Sequence, residues 1–413
     1  RHHRRDPEGR VSTMVIDPDE WGTATAFDDV GGQVAICGVG DSDMSKASGR
    51  TTHEIVGQAV ERALDDAGLA PTDIEGIMVV GMPEQFDAAA FHEYFGTDHE
   101  MWESRRGGGM TGAATAPYYA AEALRTGKAT FVLNTFGVAW ATQRGEMTGG
   151  PGESHAQDLF KQNLEIPLGW FPQPVYFATI ARRHMHDFGT TEEQLGAIAV
   201  ACRRHANLNP EAVMHAKPLT MEQYLASPKF VDPFRKEDCC LISDGGGAYI
   251  MTTPDRAADR PKAPVVVAGV GEGTSYTGTH WAQQPAFTST PAVFSAPAAF
   301  AMAGVTPGDV DLYTCYDPFT IVTLMQIEDS GFCEKGAGGA FVAGDTLHFD
   351  SGKLAHNTHG GMLSHAYVLG ISHVVEVVRQ LRGEAVAQVA GCEIGVYGGY
   401  TGPQCSTLVL AKG

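Results

Sequence analysis

One short residue pattern occurs twice in this chain, and no other feature of the sequence constrains the fold as strongly. In each copy an alanine and a glycine end a helix-like segment, and a proline and an aspartate lead into an apolar strand. The residues recur at a constant offset: Ala67, Gly68, Pro71 and Asp73, then Ala303, Gly304, Pro307 and Asp309. A second repeat pairs residues 124–134 with 380–390, in the same order within each half. Two repeats in the same order predict a duplicated α/β unit.

The repeats divide the chain into an N-terminal arm and two units. We place the arm at 1–32 and expect it to be frayed, the first unit at 33–255 and the second at 263–413, with a linker near 252–262 that is rich in proline and charge. Within 135–238 the first unit makes a long excursion with little periodicity, and loops of that length are usually functional. We therefore expect a substrate lid there. Residues 1–6 are basic and lack an initiator Met, which indicates a processed, truncated or added end; the status of 1–13 stays open.

Composition excludes several classes of protein. Of 413 residues, 43% are apolar and 19% charged, which is typical of a packed α/β protein and not of a disordered chain. The net charge of -20 repels polyanions, so we expect neither a nucleic acid nor an anionic membrane as partner. Eight cysteines without a C-x-x-C pair, and no visible secretion signal or long apolar run, favour a cytoplasmic location.

Several familiar catalytic motifs do not occur. The sequence has no phosphate-binding G-x-x-x-x-G-K-[ST], no H-E-x-x-H and no G-x-S-x-G, and the glycines at 269, 271 and 273 lack the Rossmann spacing. His184 and His186 are two positions apart in a helical pattern, so their rings diverge and we predict no metal there. Cys239 and Cys240 precede the Gly-rich turn Ser243–Gly247, and we interpret them as core residues of a strand.

Tyrosines concentrate at Gly-rich turns in the second half. Tyr316 ends an apolar strand at an Asp-Pro turn, Tyr367 follows the turn 357–361, and Tyr397 lies in the Gly-rich stretch 395–402. Because a helical pattern over 374–382 follows Tyr367, we expect the positive end of that helix to lower the pKa of its phenol. A single tyrosine is more often a packing residue, but three near such turns indicate a site.

At these residues the sequence resembles the thiolase superfamily, and more narrowly its sterol-carrier-protein-type (SCP-x) thiolase-like branch. The similarity extends over about residues 33–413 and rests on these segments: 182–210, 243–247, 316–320, 357–370 and the Gly-rich C-terminal end. The resemblance implies a duplicated five-layer α/β/α/β/α thiolase fold, a coenzyme A thioester substrate and a homodimer.

The sequence departs from the thiolase pattern at the catalytic positions. The nucleophilic cysteine of the family corresponds to the stretch 109–112, where Met110 lies, and no cysteine occurs between 38 and 201. A thioether cannot form an acyl thioester, so a covalent acyl-enzyme is excluded at this position. Tyr367 takes the place of the catalytic histidine and Tyr316 that of the oxyanion-site asparagine. The last catalytic cysteine corresponds to Cys392 or, with a shifted loop, to Tyr397.

A retro-aldol cleavage needs no enzyme nucleophile, only an acid, a base and a site for an enolate. The sequence accordingly resembles the thiolase-like aldolases that end steroid side-chain degradation (Ltp2-type). That resemblance implies cleavage of a 17-hydroxy steroid side-chain CoA ester to a 17-ketosteroid and propionyl-CoA, with a small OB-fold partner of the DUF35 type. We expect Tyr316 and Tyr367 to be the acid/base pair, in either order. The expected enolate and substrate site contains these residues: His359, Gly360, Gly361, Gly398, Gly399 and Asp317.

The coenzyme A moiety belongs to the substrate, so no separate cofactor is expected. Its phosphates would need a local basic patch, for which the candidates are Arg203, Arg204, Lys217, Lys229, Arg235 and Lys236. A solvated charged face is an equally good interpretation of this run. Two alternative functions stay open: a thiolase-like acyltransferase with Cys392 as nucleophile, and a non-catalytic acyl-CoA-binding subunit.

Overall fold

The computed structural model describes residues 17–80, 85–143, 159, 161–170, 172–277 and 284–413. The hypotheses about residues 1–16, and about the part of the excursion at 144–158, fall outside these residues. Among the described residues, no helix is both long and apolar enough to cross a membrane.

The elements follow in chain order. The strands are β1 (Gly22–Ala24), β2 (Ala35–Asp41), β3 (Gly76–Val79), β4 (Trp102–Arg105), β5 (Val132–Ala139), β6 (Lys229–Val231), β7 (Phe234–Arg235), β8 (Asp244–Thr252), β9 (Val265–Ser275), β10 (Leu312–Cys315), β11 (Ala355–His356), β12 (Ile394–Tyr400) and β13 (Gln404–Lys412). The helices are α1 (Thr52–Ala67), α2 (Ala88–Phe95), α3 (Gly109–Thr126), α4 (Gln173–Phe188), α5 (Glu192–Leu208), α6 (Met221–Ala226), α7 (Pro254–Ala258), α8 (Ala292–Ala303), α9 (Thr320–Asp329), α10 (Gly338–Phe341), α11 (Gly361–Ser364) and α12 (Ile371–Arg382).

The two halves of the chain have the same strand order. The main sheet runs β11-β10-β12-β13-β9-β2-β8-β5-β3-β4, with β1 added beside β9. The first half has the order β2-β8-β5-β3-β4, and the second half has the order β9-β13-β12-β10-β11. In each half, therefore, the first strand along the chain pairs with the fifth, the fifth with the fourth, the fourth with the second, and the second with the third. A short antiparallel pairing of β2 with β9, at residues 35–36 and 265–266, joins the two five-stranded halves.

Helices α3 and α12 form the central layer, because each contacts strands of both halves. The outer faces carry α1 against the first half and α8 against the second. Five layers result, as expected for the duplicated α/β/α/β/α thiolase architecture, and the prediction of the fold class is confirmed. The residues of α3 are mostly Ala, Gly and Thr, and a helix that is apolar all round is a buried one.

The described part of the N-terminal arm is ordered, so the expectation of a frayed arm is wrong for residues 17–32. β1 pairs with β9 in antiparallel register, and Trp21 is 2% exposed with its ring 4.9 Å from that of Phe294. Phe27 stacks on Tyr118 of α3 with ring centroids 3.9 Å apart. Large apolar rings that pack on the second half and on the central layer hold this segment in place.

Candidate active site

Two phenols from different turns meet at the carboxyl end of β10. The hydroxyl oxygens of Tyr316 and Tyr367 are 3.5 Å apart, at the outer limit of a hydrogen bond. Tyr316 directly follows β10, and its backbone N–H donates to the carbonyl of Gly398 in β12 (2.8 Å). The backbone N–H of Tyr367 donates to Ser243 Oγ (2.8 Å) just before β8. The structure thus brings both predicted acid/base residues to one place.

Burial keeps both phenols protonated. It raises the pKa of Tyr316 well above its ordinary value, and the neighbouring Tyr367 and Cys240 raise it further. Burial also raises the pKa of Tyr367, and its hydrogen bond with Tyr316 offsets this only in part. The expected lowering of the Tyr367 pKa by a helix dipole is therefore wrong, because desolvation of a phenolate outweighs the dipole and α12 begins only at Ile371.

Asp317 holds the two tyrosine-bearing segments together. Its Oδ1 accepts from the N–H of Met362 (2.8 Å) and its Oδ2 from the N–H of Leu363 (3.3 Å), at the start of α11. Oδ1 also lies 3.0 Å from His373 Nε2. We expected Asp317 to bind substrate, but both carboxylate oxygens face the protein, and a carboxylate would repel an enolate. Asp317 positions Tyr316 relative to the segment that leads to Tyr367.

The glycines expected at the enolate site lie in two places. Gly360 and Gly361 are at the start of α11, where Gly361 packs against Asp317, and Gly398 and Gly399 come directly after Tyr397. Gly361 has φ +60°, and a Cβ there would collide with the Asp317 carboxylate, so only glycine fits. The N–H of Gly360 donates to the carbonyl of Asn357 (2.8 Å) and is not free for a substrate. Gly398 and Gly399 lie in β12, and a Cβ on Gly399 would collide with the carbonyl of Met110.

Tyr397, and not Cys392, lies at the start of α3. The hydroxyl of Tyr397 donates to the carbonyl of Met110 (2.8 Å), in the stretch that corresponds to the thiolase nucleophile. Cys392 precedes β12 at its other end, where its pKa is raised to about 12 by burial and by Asp311, the residue before β10. Because Tyr316 follows β10 and Cys392 precedes the parallel strand β12, the two residues lie at opposite ends of these strands.

His359 does not join the phenols. Its ring is buried, with its centroid 5.0 Å from that of His365 and 4.7 Å from that of His373. Neither ring nitrogen has a hydrogen-bond partner among the residues that the structure describes. Its carbonyl accepts from Asn209 Nδ2 (3.2 Å), which ties this turn to the end of α5.

The basic residues proposed for the coenzyme A phosphates do not form one free patch. Four of the six are engaged within the protein: Arg203 with Ser364 Oγ (2.9 Å) and the carbonyl of Lys217 (3.0 Å), Arg204 with Asp350 (2.7 and 2.8 Å), Arg235 with Glu192 (2.8 Å), and Lys229 with Glu192 and Asp232. The side chains of Lys217 and Lys236 are exposed, and Lys236 lies 3.5 Å from Glu237. Only these two agree with a phosphate-binding role.

Cys240 belongs to the site, which the sequence interpretation missed. β8 begins at Asp244, so Cys239 and Cys240 precede the strand instead of forming part of it. The N–H of Cys240 donates to the carbonyl of Pro318 (2.9 Å), and the next residue donates to the carbonyl of Met362 (3.0 Å). This segment therefore runs between the turn of Tyr316 and the segment of Tyr367, and its thiol raises the pKa of both phenols.

Trp140 is a second residue that the motifs did not indicate. Its ring centroid lies 5.3 Å from that of Tyr367, in an edge-to-face arrangement, and it is partly exposed. Asp244 fixes the backbone that follows Trp140, because its Oδ1 accepts from the N–H groups of Ala141 (2.8 Å) and Thr142 (3.1 Å). The Gly-rich turn from Ser243 to Gly247 can be recognised in the sequence, but its contact with residues 140–142 cannot.

The two histidines of α4 have structural surroundings. His184 is buried, with Nδ1 2.7 Å from Thr190 Oγ1 and Nε2 3.1 Å from Glu328 Oε2, whereas His186 is exposed. Within the ranges that the structure describes, no group of three or more His, Cys, Asp or Glu residues is arranged to hold a metal ion.

Comparison with known proteins places these features in context. The family model "Thiolase C-terminal domain-like" matches residues 273–412. The chain is 35% identical to the 17-hydroxy-3-oxo-4-pregnene-20-carboxyl-CoA lyase of Mycobacterium tuberculosis, over 92% of this chain and 99% of that protein. It is 32% identical to the steroid side-chain-cleaving aldolase of Thermomonospora curvata, over 92% of this chain and 98% of that protein.

Solved structures agree with these relatives. The Ltp2-ChsH2(DUF35) aldolase matches with a TM-score of 0.84 and 31% identity, covering 93% of this chain and 99% of that chain. Human mitochondrial 3-ketoacyl-CoA thiolase matches with a TM-score of 0.65 and 16% identity, covering 92% and 98%. The second likeness shows a common fold alone.

Proposed function

This chain belongs to the thiolase superfamily, in the branch of the steroid side-chain-cleaving aldolases, and from that premise we propose that it cleaves a β-hydroxyacyl-CoA by a retro-aldol reaction. It is a carbon–carbon lyase by family. The proposed substrate is the CoA ester of a 17-hydroxy steroid side chain, and the proposed products are a 17-ketosteroid and propionyl-CoA. The observation that carries the proposal is the pairing of the Tyr316 and Tyr367 hydroxyls, with Met110 where a thiol would be needed.

The phenol pair supplies the two proton transfers that the reaction needs. One phenolate takes the proton of the 17-hydroxyl while the Cα–Cβ bond breaks, which leaves a ketone and a thioester enolate. The other phenol then gives its proton to the α-carbon of the enolate, and propionyl-CoA results. No bond forms between enzyme and substrate, which is consistent with a thioether at position 110. Either tyrosine fits either role.

The enolate would lie near the start of α3. The first N–H groups of a helix lack partners within it, and the positive end of the helix favours an anion. The close approach of Gly399 to Met110 brings the backbone of β12 to the same point. We assign the stabilisation of the enolate oxygen to this backbone and not to Asp317 or His359.

Assembly and location follow from the relatives and are part of the proposal. A structure 31% identical to this chain is named an Ltp2-ChsH2(DUF35) aldolase, which supports a small OB-fold partner of the DUF35 type. We further propose a homodimer, a cytoplasmic location, and no cofactor beyond the coenzyme A of the substrate. Acyl transfer through Cys392 is not proposed, because Cys392 lies at the far end of β12 from the phenols.

The direct test is cleavage. The full chain, with and without an OB-fold partner, is incubated with a tertiary β-hydroxyacyl-CoA, and the ketone and the shortened acyl-CoA are measured by mass spectrometry. We expect equal amounts of both products. If no β-hydroxyacyl-CoA is cleaved under either condition, the proposal is refuted and the chain is a non-catalytic acyl-CoA-binding subunit.

A further inference from the structure

The accessible side of the phenol pair is bordered by apolar residues. Tyr316 is buried, whereas Tyr367 is partly exposed. The Trp140 ring, also partly exposed, lies edge-to-face against the Tyr367 ring with centroids 5.3 Å apart. Ile242 is 47% exposed and precedes Ser243, whose Oγ accepts from the N–H of Tyr367. Trp140 and Ile242 are called here the apolar wall, and the mechanism above gives them no role.

The apolar wall lies where two buried strands reach the surface together. β5 and β8 pair in antiparallel register as far as Ala139 and Asp244, and all of their residues are buried. Trp140 directly follows β5 and Ile242 lies two residues before β8, so both are at the same end of the strand pair. Singly exposed apolar residues are ordinary, whereas adjoining ones mark a contact surface. Ligand sites combine an apolar and aromatic lining with a few placed polar groups, as the wall and the two hydroxyls do.

The backbone beside the apolar wall is fixed by a charged group. The Asp244 carboxylate accepts from the N–H groups of Ala141 (2.8 Å) and Ser48 (2.7 Å). Burial acts to raise the pKa of this carboxyl, but hydrogen bonds from Ser48 and Thr142 hold the pKa below its usual value, so the group is charged at neutral pH. The residue after Trp140 is therefore held in place before any substrate binds, and a preformed surface avoids the cost of ordering on binding.

The ketone half of the proposed substrate matches an apolar surface, and the acyl half does not. The acyl half carries the coenzyme A phosphates and becomes the enolate, which we place at the start of α3. The ketone half is uncharged, and in a steroid it is a fused hydrocarbon ring system. The bond that breaks lies at the phenol pair, between the two halves, so the ketone half extends from the pair over the neighbouring surface. Burial of apolar surface against hydrocarbon is favourable in proportion to the area removed from water.

We propose that the apolar wall binds the ring system of the ketone half and so selects polycyclic substrates over small ones. The inference rests on the proposed function, because it assigns the part of that substrate which Trp140 and Ile242 contact. Trp140 touches Tyr367 and therefore lies against the ring that carries the reacting hydroxyl. Ile242, the more exposed of the two, extends the same surface toward solvent. Both are specificity-determining residues and take no part in proton transfer.

The test compares two substrates that differ only in the ketone half. One is the CoA ester of the 17-hydroxy steroid side chain, and the other is 3-hydroxy-2,3-dimethylbutyryl-CoA, which gives acetone and the same propionyl-CoA. The full chain, with its OB-fold partner, is assayed for kcat/KM on both. Trp140→Ala and Ile242→Ser should each lower the ratio of kcat/KM for the steroid ester to that for the small ester about 10-fold or more, since one methylene in an apolar pocket already has that effect. Trp140→Phe, which keeps an aromatic ring, should recover most of the ratio.

A binding measurement and a matched control complete the test. Equilibrium dialysis of a free 17-ketosteroid against the full chain needs no turnover, and both Trp140→Ala and Ile242→Ser should weaken this binding. The control is Val386→Ser, which removes a β-branched apolar side chain that is 60% exposed. Val386 lies between α12 and β12, at the end of β12 that is far from the phenols. Val386→Ser should keep the wild-type substrate ratio and the wild-type affinity for the steroid.

The outcomes separate this inference from the proposed function. If the wild-type protein cleaves the steroid ester and both wall variants keep its substrate ratio and steroid affinity, the apolar wall has no such role and the aldolase stands. The same holds if the variants weaken only the association with the OB-fold partner, or if Trp140→Ala slows both substrates equally, which would mean that Trp140 only orients Tyr367. If the steroid binds in a way that depends on Trp140 and Ile242 but no β-hydroxyacyl-CoA is cleaved, the wall stands and the aldolase is refuted. A wild-type protein that neither binds the steroid nor cleaves refutes both.

Discussion

Replacement of Tyr316 by phenylalanine removes one oxygen from the centre of the proposed chemistry. The ring is only 6% exposed and packs in the same way in both variants, so what is lost is the hydroxyl 3.5 Å from that of Tyr367. A positioned acid or base contributes about 10²–10⁴-fold in rate. At about 1.36 kcal/mol per factor of ten, this is a rise of roughly 3–5 kcal/mol in the activation barrier. A single neutral hydrogen bond, in contrast, contributes only about 0.5–1.5 kcal/mol to folding.

Tyr316→Phe should therefore lose turnover by about 10²–10⁴-fold with a small change in melting temperature. Because the hydrogen bond from Tyr316 lowers the pKa of Tyr367, its loss should raise that pKa further, and the pH dependence that Tyr367 gives to the remaining turnover should move to higher pH. The assay is ketone release from a tertiary β-hydroxyacyl-CoA, followed as the pH rises from neutral toward the ordinary phenol pKa of about 10. Tyr367→Phe should lose turnover to the same degree.

Tyr249→Phe is the control, because Tyr249 is also buried and its hydroxyl donates to the carbonyl of Ala113 (2.8 Å). It should lose similar stability and keep its turnover. Turnover within about threefold of wild type in both Tyr316→Phe and Tyr367→Phe would refute the assignment, since the lost acid or base is expected to cost at least ~10²-fold.

Four further results are expected. Cys392→Ser should keep its turnover in the same assay, because this thiol lies at the opposite end of β12; a dead variant would restore the acyltransferase alternative. Iodoacetamide should inactivate the enzyme slowly, and faster as pH rises, because burial raises the pKa of Cys240, and Cys240→Ala should resist inactivation while it still turns over substrate. Asp317→Asn should lower both turnover and the free energy of unfolding, the latter by about 1.5–3 kcal/mol measured in urea, because hydrogen bonds to a charged acceptor are lost; full activity would exclude its positioning role. The melting temperature should fall as pH drops from about 6.5 to 4, because the unfolded chain binds protons at His356 and His365 before the folded protein does. In the folded state burial lowers the pKa values of these two histidines to about 4 and 3. A melting temperature that stays constant in this window would contradict the burial of these rings in their neutral form.

The sequence was sufficient for features that depend on local order along the chain. The repeat that includes Gly68 and Gly304 predicts two α/β units, and both glycines end helices in left-handed conformation. Tyr316 and Tyr367 could be proposed together because the resemblance to the thiolase superfamily puts them at the positions of the oxyanion-site asparagine and the catalytic histidine, and because each lies near a turn. These inferences need only the order of residues along the chain and its similarity to a family pattern.

What could not be predicted depends on partners that are distant in sequence. Arg204 was a candidate for phosphate binding until Asp350, 146 residues away, was seen to neutralise it. The role of Cys240 depends on contacts with Pro318 and Met362, which no spacing rule indicates. The sign of the Tyr367 pKa shift depends on how deeply the phenol is buried, a property of the whole fold and not of the nearest helix.

Burial makes conflicting demands on the phenol pair, and their proximity reconciles them. Desolvation raises the pKa of both hydroxyls, which keeps each one protonated and available as a proton donor but leaves little of the phenolate that a base requires. Two hydroxyls in contact cannot both ionise at moderate pH, but once one has lost its proton the other donates a hydrogen bond to the phenolate. The pair then titrates as a unit that holds one proton or two, and its singly protonated form contains the base and the acid at once. Removal of either oxygen abolishes that form, which is why both phenylalanine variants should fail equally although only one tyrosine accepts the substrate proton.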